Sequence, residues 1–140
     1  MFAEAVASFL MGRGAQWRAD AGVDPSNATA EAASQMLAGY LSNDHLRDLD
    51  GQCPMIALPS DIARAAPEVR AAYQTLLEAM VALFERSLTG HASKRRQDAL
   101  TLAALCVGGM VLARTLPSSE LARAVREAAH RHGGSMLSKR

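Results

Sequence analysis

Aromatic residues make up only 4% of this 140-residue chain, so its core must be built from Ala, Leu, Val and Met rather than from stacked rings. Cysteine is almost as scarce. Cys53 and Cys106 are too few for a disulfide framework at this length and read as buried thiols, with a redox sensor as the alternative. Neither sign of charge dominates: a formal net charge of +1 and a pI near 7.9 give no global attraction to nucleic acid or anionic lipid. The opening Met1-Phe-Ala-Glu-Ala-Val has no basic segment ahead of an apolar one, so it does not read as a signal peptide. These absences point to a soluble, cytoplasmic protein of one domain, long enough to bury a real core.

Catalytic signatures are missing as well. The chain has no Gly-rich phosphate loop, no Ser/His/Asp spacing and no metal signature, so no catalytic residue, metal or cofactor is expected. His45, His91, His130 and His132 are scattered, and the last two, two residues apart, point away from each other on a helix. Asp44, Asp48 and Asp50 solvate a polar loop, and Lys94, Arg95 and Arg96 read as a solvated helix start without aromatic partners for nucleic acid. Asn27-Ala28-Thr29 matches a glycosylation sequon that has no meaning without secretion.

What is present is helical periodicity. It predicts an all-α bundle of five to six helices and no strand. The first helix spans about Phe2 to Trp17, with Phe2, Val6, Phe9, Leu10, Arg13 and Trp17 on one face. It opens without a capping sequence, as expected of a chain entered partway along a longer helix. Asp24-Pro25 predicts the start of a second helix running to Leu41 with Ala33, Met36, Leu37, Tyr40 and Leu41 as its apolar stripe. Ser42 to Gln52 reads as a loop, and Pro54 to Arg64 as a short helical turn bent near Pro59. Pro67 opens a long helix to Leu88 with Val69, Tyr73, Leu76, Leu77, Met80 and Phe84 inward, stopped by Gly90.

Ser93 is then expected to cap a helix through Ala99 to Ala113, fifteen residues of which only Thr101 is polar. That run is short of the roughly 20 apolar residues that span a bilayer, so no membrane partner is expected. A helix apolar around its circumference needs cover on every side, and a second copy of the chain is the natural cover. Gly108-Gly109 mid-helix costs about 1–2 kcal/mol against alanines, a cost that suits close backbone approach. Ser118 caps the last helix, with Leu121, Ala124, Val125, Ala128 and Ala129 on one side. His130, Arg131 and His132 are expected at its negative end, Gly133-Gly134 stops it, and the last six residues form a frayed tail.

Two constellations carry the functional expectation. Trp17, Met36, Tyr40, Met55, Tyr73, Leu76, Met80, Phe84, Cys106 and Met110 read either as plain core or as the lining of a pocket for an apolar small molecule. Leu100, Ala103, Val107, Gly108, Val111, Leu121, Ala124, Val125 and Ala128 form the expected homodimer face.

Gly51-Gln-Cys-Pro-Met-Ile-Ala-Leu-Pro-Ser-Asp-Ile-Ala-Arg-Ala-Ala-Pro-Glu-Val-Arg-Ala-Ala-Tyr73 resembles the ligand-binding domain of tetracycline-repressor (TetR) family regulators, a subset of which enters a short helix through Gly-x-Cys-Pro and starts the next at Pro-Glu-Val-Arg. Gln97 to Arg114 and Leu121 to Ala129 look like that subset's two dimerisation helices, and Met1-Phe-Ala-Glu-Ala-Val like the start of its connecting helix. The family's N-terminal helix-turn-helix is absent from these residues, which reads as a fragment or an orphan effector domain. The resemblance implies effector sensing in a transcriptional repressor, with DNA reached only through that missing module. A ligand-free structural or partner-binding dimer is the alternative, and a small enzyme using Cys53 or Cys106 a third.

Overall fold

The structure, a computed structural model, describes residues 2–20, 22, 29–48, 54–57 and 59–138. These residues form an all-α bundle without a strand: α1 (Phe2–Asp20), α2 (Ala30–Tyr40), α3 (Asn43–Arg47), α4 (Pro54–Ala57), α5 (Pro59–Ala63), α6 (Pro67–Ser87), α7 (Ala92–Thr115) and α8 (Ser119–Ser138). Asn43–Arg47 forms a helical turn, α3, where a loop is expected, and the described parts of the expected turn from Pro54 to Arg64 are helical at Pro54–Ala57 and Pro59–Ala63.

Helix α7 is the axis of the bundle. It packs along α8 on one side and α6 on another, while α6 also carries α1, and α2 lies across α6, α7 and α8. The stripe on α2 is buried as the period requires: Ala33, Met36, Leu37, Tyr40 and Leu41 all face inward. On α6, Val69, Leu76, Met80 and Phe84 are buried, with Tyr73 and Leu77 half-buried at the margin. Of the face expected on α1, Trp17 is buried; the side chains of Phe2, Val6, Phe9 and Leu10 lie outside the described residues.

Helix ends correct several expectations. Asp24 and Pro25 lie outside the described residues, and α2 begins instead after Thr29, whose Oγ1 accepts from Ala32 N–H at 3.2 Å. Ser42 caps α3 by accepting from His45 N–H at 3.1 Å, turning a polar stretch into a helical turn. His91, not Ser93, is the N-cap of α7, and it forms no side-chain cap bond. Ser118 does cap α8, its Oγ accepting from Leu121 N–H at 3.3 Å.

The largest correction is at Gly133-Gly134, which does not stop α8. The helix runs on to Ser138, so Leu137 is buried rather than frayed, and His130 to His132 lie mid-helix rather than at a helix end. Gly90, with φ of 104°, sits in the turn between α6 and α7, as its left-handed conformation requires.

Candidate functional site

The ten residues expected to line a pocket are brought together. Tyr40, Phe84, Cys106 and Met110 are fully buried, and Trp17, Met36, Met55, Leu76 and Met80 are each less than 7% exposed. Tyr73 is half-buried at the edge, its hydroxyl donating to the Met55 carbonyl at 2.8 Å and so tying α6 to α4. Helix α1 closes this cluster at Gly14: a Cβ there would stand 2.6 Å from Leu76 Cδ2, so α1 and α6 cross as closely as a glycine allows.

The cluster is closed as well as assembled. Between Trp17, Met36, Met55, Leu76 and Met80 remains a void of about 10 Å³. That is room for one water at most, against the few hundred Å³ of a small-molecule pocket. In this conformation nine of the ten residues are interlocked core, with Tyr73 at its margin.

One member was not anticipated. His45, delivered by α3, is 5% exposed and stacks into the cluster, 5.0 Å from the Trp17 ring and 4.9 Å from the Tyr40 ring. Trp17 and Tyr40 meet edge-on at 5.0 Å, so the three rings are in mutual contact. His45 Nδ1–H donates to the Tyr40 carbonyl at 2.7 Å, which fixes the tautomer and satisfies an acceptor near the end of α2. Burial holds the imidazole pKa below its ordinary value; the Tyr40 carbonyl pulls it up, Arg114 pushes it down and Asp48 pulls it up. Ser42, three residues before His45, was the available signal, since it marks a helix cap.

The second constellation divides. Ala103 is 1% exposed and faces the core with Ala99, Leu102 and Cys106, so it is not part of an outer face. The others lie on the outer side of α7 and α8: Leu100 and Leu121 are 45% and 52% exposed, Ala124 and Ala128 are exposed, and Val107, Gly108, Val111 and Val125 are half-buried. Between the two helices runs an apolar groove of about 440 Å³ lined by Ala104, Leu105, Gly108, Leu112, Val125 and Ala128. Sequence reasoning missed Ala104, Leu105 and Leu112, although Leu100, Ala104, Gly108 and Leu112 repeat every four residues. Leu112 is 55% exposed, the highest value for a large apolar side chain among the described residues.

The paired glycines have separate roles. A Cβ on Gly109 would meet Leu41 Cδ2 at 3.0 Å and Ala129 Cβ at 3.2 Å, so Gly109 seats α7 against its own α2 and α8. Gly108 faces the groove with nothing within 4 Å.

Helix α7 is also longer than the apolar run at its centre. Its 24 residues include eighteen with a mean hydropathy of 1.4, long and apolar enough to cross a membrane by length and composition, and 39% of that window is buried in the bundle. Cys106 is buried and not in a disulfide, and Cys53 lies outside the described residues. Among the described residues no group of three His, Cys, Asp or Glu side chains could hold a metal. Compared with family models, curated proteins and solved structures, the chain matches none.

Proposed function

We propose that this chain is the effector-sensing and dimerisation domain of a TetR-like transcriptional repressor. The observation that carries the reading is the uncovered apolar strip of Leu100, Ala104, Gly108, Leu112 and Leu121 on the two helices that the resemblance assigns to dimerisation. An apolar strip of this kind on paired helices marks an association surface. A two-fold axis across α7 and α8 covers it with the same strip of a second copy.

The effector is a small, mainly apolar molecule admitted to the Trp17 cluster. With only about 10 Å³ free, entry requires α1 to move away from α6. Met36, Met55 and Met80 make such opening possible, because unbranched thioethers repack with little rotamer strain. Ligand binding and α1 displacement are then one event, and the ligand shifts the equilibrium by its preference for the opened state. DNA is contacted through a helix-turn-helix module that these residues do not contain, since specific readout needs an element presented to base edges. The location is cytoplasmic, and α7 serves as a bundle core rather than a membrane span. No catalytic step or cofactor enters this reading.

A ligand-free helical homodimer serving as a structural or interaction module is the second reading, and the filled Trp17 cluster favours it. Titration with apolar compounds, read by the fluorescence of Trp17 and by melting temperature, separates the two. The sensor reading expects a Trp17 response together with thermal stabilisation, since a ligand of the native state stabilises it by mass action. Absence of both for every compound, together with a clean organic extract of the denatured protein, leaves only the structural module.

A further inference from the structure

Away from the Trp17 cluster, α2, α3 and the first half of α8 enclose a cleft of about 790 Å³. Its floor is apolar, made of Ala38, Leu41 and Leu46, and its walls carry Arg47, Arg123 and Arg126 against Glu120 and Glu127. Glu127 is engaged by Arg123, one turn away on the same helix, at 3.8 Å.

Arg126 differs from the other two arginines in being buried: it is 9% exposed, whereas Arg47 and Arg123 lie in water. Its Nη1 donates to the carbonyl of Leu41, the C-cap of α2, at 3.2 Å. That bond places positive charge at the negative end of a helix. One further donor is left over: Nε is buried without a partner, and among the described residues no carboxylate pairs with Arg126. Guanidinium presents five donors, and a buried charge without a counter-ion is strongly unfavourable. An anion bound beside Arg126 would answer both the charge and the spare donor, and the cleft that Arg126 borders has room for one.

The geometry points to a binding site for a small organic carboxylate, its head group on Arg126 with Arg47 and Arg123 at the rim, and its apolar body on Ala38, Leu41 and Leu46. A planar guanidinium matches a carboxylate in fork geometry, which a lysine could not do. The apolar floor favours octanoate or benzoate over a bare inorganic anion. The position of α8 sets this site apart from the Trp17 cluster, and it stands whether or not that cluster admits an effector.

The test is calorimetric titration of the full chain with octanoate, benzoate, inorganic phosphate and octanol. The site predicts that both carboxylates bind and that octanoate outbinds phosphate and octanol by about tenfold or more. Arg126→Met is expected to weaken octanoate by about tenfold or more, and Glu120→Gln to strengthen it by removing a competing charge. Should Arg126→Met fail to fold, Arg47→Gln with Arg123→Gln, both at exposed positions, carries the same expectation. No carboxylate heat at about 10 mM, octanol or phosphate binding as well as octanoate, or affinity unchanged in the arginine variants overturns the proposal.

Discussion

Gly133 on α8 lies directly against Leu37 on α2: a Cβ on Gly133 would stand 2.9 Å from Leu37 Cδ1. Leu102 Cδ2 closes the same spot at 3.2 Å, so α2, α7 and α8 meet at one missing side chain. Leu37 is 1% exposed and has little room to yield. Its neighbour Gly134 has nothing within 4 Å of the same position.

That difference predicts opposite outcomes for two identical changes. Gly134→Ala gains helix propensity alone and is expected to stabilise by about 0.5–1 kcal/mol. Gly133→Ala gains the same propensity but forces overpacking that costs about 1–3 kcal/mol, for a net loss. Urea unfolding of the two variants beside the parent checks this, and equal effects would mean that α8 does not press on Leu37.

Acid is expected to weaken the fold through His45. Its pKa in the folded state is lowered, chiefly by burial, so the unfolded chain takes up the proton first as pH falls. The contribution of the neutral ring is complete above about pH 6.5 and is lost as pH drops below that and through the lowered native value. His45→Phe keeps a ring against Trp17 and Tyr40 but removes the titration. Unfolding midpoints measured from pH 7.5 downward should fall more steeply for the parent than for the variant, whatever their absolute stabilities. Parallel slopes would show that His45 protonates without resistance.

Met80→Ala is expected to cost about 2–5 kcal/mol, because the filled surroundings can collapse only partly around the lost side chain. The cavity it opens lies beside Trp17, so benzene or indole-sized apolar probes should restore part of the melting temperature and alter Trp17 emission. A cost under about 1 kcal/mol with no probe response would show that the site collapses or was loosely packed from the start.

Removing the α2 cap by Thr29→Ala should lower stability by about 1 kcal/mol, since Ala32 N–H loses its acceptor. Thermal unfolding measures this directly, and no change would place the true start of α2 elsewhere.

The sequence made the inward stripes plain. Met36, Leu37 and Tyr40 on α2, and Val69, Leu76, Met80 and Phe84 on α6, recur at helical spacing and are all buried. Ends were harder to read, because one residue type serves two purposes. Gly133-Gly134 reads as a stop, yet glycine is also what a close crossing needs, and only the partner Leu37 decides between them. Asp24-Pro25 and Thr29 are both acceptable starts, and the cap bond at Thr29 settles where α2 begins among the described residues. Ala103 and Ala104 are indistinguishable in composition, but one step of 100° turns the first into the core and the second into the groove. Arg126 could not be found at all: it stands among polar residues on an amphipathic helix, and its burial depends on where α2 ends in space.

The central claim is that α7 and α8 pair with a second copy, and sedimentation velocity at micromolar concentration tests it most directly. The native chain is expected at twice 14.9 kDa. Leu112→Glu lies at a position 55% exposed, so the isolated chain should tolerate it, while a dimer that buries it should not. A native dimer, and a folded monomer for Leu112→Glu with an unchanged helical circular dichroism spectrum, is the predicted result. A native chain sedimenting as monomer, or a dimer indifferent to Leu112→Glu, would contradict the account.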